Sequence, residues 1–186
     1  MADVFEVLGQ DHDHVKEVLA ELEAGAGRTG PEGLEHRRKM VERLIMDESR
    51  HEAVEEEYFW PTVRELVPEG DRLADHAVGQ EQSAKFVLND LMGMDPDDER
   101  FEELLRTFIV DGREHISYEE TRVWPELRKV ITKERAEELG RKLAEAKKKA
   151  PTRPHPHTPP KPGVLKAAGP AVAAADRLRD RMAHRG

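Results

Sequence analysis

Apolar residues return along this chain at intervals of three, four and seven. Phe5, Leu8, Val15, Leu19 and Leu22 mark one face of a helix over residues 3–24. His12 falls in the gap of that stripe, four after Leu8 and three before Val15. His14 lies about 200° further round and is expected to face solvent. Residues 25–33, GAGRTGPEG, read as a loop. A second helical stretch over 34–66 carries Val41, Leu44, Ile45, Glu48, His51, Glu55, Tyr58, Phe59 and Leu66, and Pro61 is expected to end or kink it. A third runs over about 71–92 with Leu73, His76, Gln80, Ser83, Val87 and Leu91. Asp95-Pro-Asp-Asp then starts a fourth, reaching about 130, whose stripe is Phe101, Leu104, Leu105, Phe108, His115, Tyr118 and Glu119. A shorter fifth helix over 132–149 presents Leu139 and Leu143.

The second and fourth stretches end alike. HEAVEEEYFWP (51–61) and HISYEETRVWP (115–125) share H-x3-E-E-x3-W-P at a separation of 64 residues. The same shift lays Asp11-His12 on Asp75-His76. Self-similarity at a fixed period signals a structural repeat. The expected fold is therefore all-α: two helix–loop–helix halves related by a pseudo-twofold, packed as an up-down-up-down four-helix bundle. His12, His51, Glu55, His76, His115 and Glu119 point inward in that arrangement.

A His and a Glu four residues apart lie one turn apart on the same face and can reach one metal together. Imidazoles and carboxylates with no thiolate suit iron or manganese better than zinc. Two Glu from opposite helices can each bridge two ions, leaving positions open for water, dioxygen, peroxide or nitric oxide. Without cations, buried carboxylates would cost several kcal/mol. A single HxxxE is ordinarily a solvated ion pair; its duplication on an inward stripe is what argues for a metal. Glu52, Glu56, Glu57 and Glu120 read as outer charges or supports for the ligands, Glu48 as a hydrogen-bonding neighbour of an imidazole, and Trp60 and Trp124 as packing at the helix ends.

Composition narrows the setting. Charged residues make up 37% of the 186 and apolar residues another 37%, so the core is narrow. The absence of cysteine excludes disulfides, thiolate metal sites and iron–sulfur clusters. No apolar run approaches a membrane span and no signal peptide is legible, which leaves the cytoplasm as the expected location. The net charge of −9 argues against nucleic acid as a partner. That charge divides unevenly: residues 147–186 carry +8 and the rest −17. Six prolines among residues 151–163 predict an extended, mobile segment, with a weak helix beyond it and no site. His155 and His157 in that segment are read as parts of a disordered tail. The expected division is a bundle over 1–130, an added helix over 131–150 and a Pro-rich, basic, disordered tail over 151–186.

The order H…HxxxE…H…HxxxE, the DH-x2-V-x2-VL start and the EE-x3-WP endings resemble the hemerythrin-like, or HHE cation-binding, domain over about residues 3–130. The resemblance implies an oxo- or hydroxo-bridged pair of iron ions held by His12, His51, Glu55, His76, His115 and Glu119. Oxygen-carrying hemerythrins have a further histidine four residues after the third-helix one; here that residue is Gln80. Their fourth-helix motif is HxxxxD, where this chain has HxxxE. The departures point away from reversible oxygen carriage. They point toward an enzyme that handles peroxide, nitric oxide or dioxygen, or toward a non-enzymatic iron or oxygen sensor.

Overall fold

The computed structural model describes residues 2–27, 30–158 and 162–182, without the side chains of 162–168 and 170. Expectations that fall on residues 28–29, 159–161 and 183–186 lie outside the described residues. The described chain is helical, built on four rods.

The first rod is α1, Val4–Ala24. Asp3 caps it by accepting from the Glu6 N–H at 2.9 Å, while the Glu6 carboxylate accepts from the Asp3 N–H at 2.8 Å. This reciprocal pair satisfies two amide donors that a helix start leaves free. The second rod joins α2, Pro31–Val54, through a π turn at Glu55–Phe59 to α3, Trp60–Leu66. After a short connection comes α4, Gly70–Leu91. The fourth rod repeats the second: α5, Glu99–Tyr118, a π turn at Glu119–Val123, and α6, Trp124–Val130. Asp98 caps α5 by accepting from the Arg100 N–H at 2.8 Å.

Pro61 neither ends nor sharply breaks its helix. The Trp60 N–H bonds to the carbonyl of Glu55, five residues back, and Trp124 does the same to Glu119. Such a turn holds one residue more than an α turn. The prolines that follow sit early in α3 and α6, where a missing N–H costs little. The wider turn also brings each Trp nearer to the face of the Glu five residues before it.

Two apolar clusters fill the bundle. One end holds Phe5, Leu8, Phe59, Trp60, Val63, Leu73, Trp124 and Leu127. The other holds Leu19, Leu22, Leu44, Ile45, Leu88, Leu91, Phe101, Leu105 and Phe108. His12, His51, Glu48, Glu52, Glu55, Glu81 and Glu119 are buried but belong to neither cluster.

The fifth helix, α7, spans Lys133–Lys147 and is capped by Thr132. It packs on α1 through Leu139 and Leu143. The approach is close at Gly140, where a Cβ would lie 2.6 Å from the Asp3 backbone.

Composition led to the expectation of a mobile tail, and the described residues differ from it. A helix, α8, spans Pro162–Met182 and packs against the first π turn. Asp176 and Asp180 are buried on it. Asp180 accepts from the Arg153 guanidinium at 3.0 and 3.1 Å and from the Thr152 hydroxyl, and Asp176 pairs with His155 at 2.9 Å. The Pro156 carbonyl accepts from the Gln82 amide at 2.6 Å. Prolines hinder regular structure in 151–158, but these polar anchors order the segment without it.

Candidate metal centre

The His-x3-Glu pairs close as expected. His51 Nε2 lies 3.1 Å from Glu55 Oε2, and His115 Nε2 lies 3.2 Å from Glu119 Oε1. His12 reaches across from α1, its Nε2 3.2 Å from Glu119 Oε2. The two oxygens of Glu119 thus face histidines from different halves of the chain.

Two overlapping groups of donors result. His12, His51, Glu55 and Glu119 each offer an atom within 4.8 Å of the others, and so do Glu55, Glu81, His115 and Glu119. Nitrogen and oxygen ligands sit about 2.0–2.2 Å from a typical transition ion, so opposed donors lie about 4.0–4.4 Å apart. Closure by a few tenths of an ångström would complete either group.

The structure gathers five of the six expected residues. His76 is exposed on α4, its ring 4.4 Å from that of Tyr118, and joins neither group. Glu81, fully buried, stands on α4 where the sixth donor was expected. A sequence signal for it existed. Val4, Leu8, His12, Val15, Leu19 and Leu22 match Leu73, Ala77, Glu81, Ala84, Leu88 and Leu91 at a shift of 69, and all are buried except the partly buried Ala84. The shift of 64 holds for the second and fourth rods but misplaces α4. The spacing between ligand positions is 39 residues in the first half and 34 in the second.

Each imidazole is held from behind. The Nδ1–H of His12 donates to Glu120 at 3.1 Å, that of His51 to Asp11 at 3.3 Å, and that of His115 to Gln80 at 3.3 Å. These bonds leave Nε2 facing the interior. Lys16 anchors Glu120 at 2.7 Å, and Lys147 of α7 pairs with Asp11. Trp60 Nε1 donates to Glu81 Oε1, and the Trp124 ring stacks on His12 with centroids 5.0 Å apart.

The inner atoms face one another mainly as ion pairs but make no hydrogen bonds. Both oxygens of Glu55 and of Glu119, Glu81 Oε2, and Nε2 of His12 and His115 are buried and make no hydrogen bond among the described residues. Leaving such groups unsatisfied costs about 1–3 kcal/mol each, more when charged. One kind of occupant answers all of them: a cation that accepts lone pairs from nitrogen and oxygen alike.

Burial opposes charge throughout this layer. It raises the carboxyls of Glu55, Glu81 and Glu48, and the Glu119 charge raises Glu55 further. Burial also pushes Glu52 up to about 8, against the pull of Lys85. For the imidazoles burial works downward but is outweighed. Glu55 and Asp11 hold His51 well above its ordinary value, and Glu119 lifts His115 to about 9. Glu119 itself is held well below the usual carboxylate range by His115 and His12, against its burial. Without metal the layer holds protons where cations would bring the same relief, so binding would release them.

Fold and donors together define a class: a helical bundle closed around a shared His/Glu site fit for metal cations. Comparison with known proteins agrees. The profile of the Hemerythrin HHE cation binding domain matches residues 3–127, and this chain belongs to that family. An uncharacterized hemerythrin-like protein of Schizosaccharomyces pombe is 28% identical over 141 residues, which are 75% of this chain and 70% of the relative. The crystal structure of a hemerythrin HHE cation binding domain-containing protein from Mycobacterium kansasii superposes with a TM-score of 0.66 at 21% identity. That match covers 80% of this chain and 86% of the other and supports the fold. Cation binding, with iron the favoured ion, follows from the family and the donor set. Among the described residues no helix is long and apolar enough to cross a membrane.

Proposed function

We propose that this chain is a dinuclear non-haem iron protein of the cytoplasm that reacts with a small oxidant such as hydrogen peroxide, nitric oxide or dioxygen. His12, His51, Glu55, His115 and Glu119 hold the ions, with Glu81 in place of His76. The observation that carries this reading is the convergence on one interior layer of seven buried nitrogen and oxygen atoms that make no hydrogen bond and face mainly one another. Bound iron would supply a Lewis acid and a source of electrons for the oxidant.

The chain's own residues do the rest. Asp11, Glu120 and Gln80 fix the imidazole tautomers, and the apolar clusters on either side keep bulk water out. A cavity of about 50 Å³ lined by Glu52, Ala53, Glu56, Lys85, Arg153 and His155 lies on the side of α2 and α4 that faces the C-terminal segment, and none of the proposed ligands lines it. Steady-state consumption of peroxide and nitric oxide by iron-loaded protein tests the reading. Turnover well above that of free iron is expected for at least one of them, and turnover no better than free iron for both would remove the enzymatic reading.

A second reading, sensing, draws on the contact of α8 with the π turn that carries Glu55. A change at the ions would then pass to the C-terminal helix, and faster proteolysis of residues 151–182 on metal removal would favour it.

A further inference from the structure

Three side chains hold the imidazoles of the centre from behind, and they are not secured alike. Glu120 behind His12 is anchored by Lys16 at 2.7 Å, and Asp11 behind His51 is paired with Lys147. Gln80 behind His115 is uncharged, meets the ring at 3.3 Å and has no second anchor among the described residues. His115 is also the least buried of the five gathered residues. Its side chain is 12% exposed, against 5% or less for His12, His51, Glu55 and Glu119.

Gln80 also lines a groove of about 520 Å³ between α4 and α5, together with His76, Gly79, Asp111 and Glu114. The groove is open at Gly79, where a Cβ would meet nothing within 4 Å. Its charge is negative. Asp75 is paired with Arg64 at 2.7 Å, but Asp111 and Glu114 are exposed, and no cation pairs with either among the described residues. His76 stands exposed on the same wall, four residues and one turn before Gln80. Past Gln80 and the His115 ring lie His115 Nε2 and Glu81 Oε2, buried and without hydrogen bonds. Apolar clusters cover both ends of the layer, and the C-terminal segment covers the side of α2 and α4.

A cleft lined by one sign of charge concentrates ions of the opposite sign and speeds their arrival. An imidazole on its wall lends a passing ion a nitrogen ligand, and His76, outside both donor groups, closes no site that would retain it. We propose that divalent cations reach the centre through this groove: His76, Asp111 and Glu114 draw them in, and Gln80 is the gate that swings aside to admit them past His115. The proposal rests on the metal-binding reading above and concerns the route, not the resting ligands.

The test is anaerobic stopped-flow mixing of metal-free, full-length protein with ferrous ions. Trp60 and Trp124, in contact with Glu81 and His12, report arrival through their fluorescence, and metal analysis gives the final content. Raising the ionic strength from about 0.01 M to about 0.15 M is expected to slow wild-type loading about tenfold, because screening weakens steering. Asp111→Asn with Glu114→Gln is expected to slow loading severalfold and to flatten that salt dependence. Glu99→Gln with Glu103→Gln, the same change of charge near the start of α5, is expected to change both far less. His76→Ala is expected to slow loading and leave the final content unchanged. Gly79→Leu places a side chain in the groove without replacing a ligand. A barrier on the path delays entry and exit alike, so this variant is expected to slow uptake and chelator extraction by the same factor and to keep the wild-type affinity. All the substituted residues are exposed, so the variants are expected to fold. Wild-type loading in Gly79→Leu, or an Asp111/Glu114 pair no slower than its control, would overturn this inference and leave the centre intact. No uptake by the wild type would overturn both.

Discussion

The two halves of the bundle use the same plan with different chemistry at one point. In each, the second rod carries His-x3-Glu, a π turn and Trp-Pro. Each Trp then crosses to the first helix of the other half: Trp124 to His12, Trp60 to Glu81. Against histidine the indole stacks, and its Nε1 stays buried without a partner. Against glutamate it donates a hydrogen bond. The comparison teaches that the scaffold is held by packing common to both halves, whereas the side chain at one equivalent position is free to differ, His12 in one half and Glu81 in the other.

If packing is shared, equivalent core positions should cost alike. Leu19→Ala and Leu88→Ala, both fully buried, are each expected to lose about 2–5 kcal/mol in chemical denaturation. A large inequality between them would break the correspondence at 69. The Trp positions should differ instead. Trp60→Phe leaves a buried Glu81 oxygen without its donor and should cost about 1–3 kcal/mol beyond the loss of volume. Trp124→Phe keeps an aromatic face against His12 and gives up no hydrogen bond, so it should cost less in the same melt.

A pH scan sharpens the contrast between empty and filled sites. His115 has its folded value raised from 6.5 to about 9 and Glu52 from 4.5 to about 8. Both bind protons more tightly when folded, so their contribution is complete below the unfolded values and is lost as pH rises through the folded ones. Metal-free protein should therefore lose thermal stability between about pH 5 and 9. Loaded protein, whose site no longer depends on protons, should show a shallower slope over that window. Equal slopes would contradict the account. The smallest expected effect belongs to His76→Ala: unchanged metal content, because its exposed ring is outside both donor groups. Loss of an ion in that variant would restore the correspondence at 64 for α4.

Much of this was legible in the sequence. The His-x3-Glu pairs repeat with their Trp-Pro endings, and the α1 stripe selects His12 over His14. Glu81 escaped for a physical reason. Its helix has the buried Ala77 and the partly buried Ala84 where α1 buries Leu8 and Val15, so the apolar stripe is faint, and the residue lies in a polar run, GQEQS. The Asp-His dipeptide at 75–76 was the louder signal but sits on the exposed face. The π turns carry no composition of their own, so Pro61 looked like an end or a kink. The tail's order rests on Asp176 and Asp180 meeting Thr152, Arg153 and His155, pairings between distant residues that no local pattern displays.

The most direct test of the centre is a metal count on protein purified without added metal, alongside Glu119→Ala, which removes the carboxylate that faces both halves. The account predicts about two ions per chain in the wild type and nearly none in the variant. Sub-stoichiometric metal in the wild type, or an undiminished count in the variant, would contradict it.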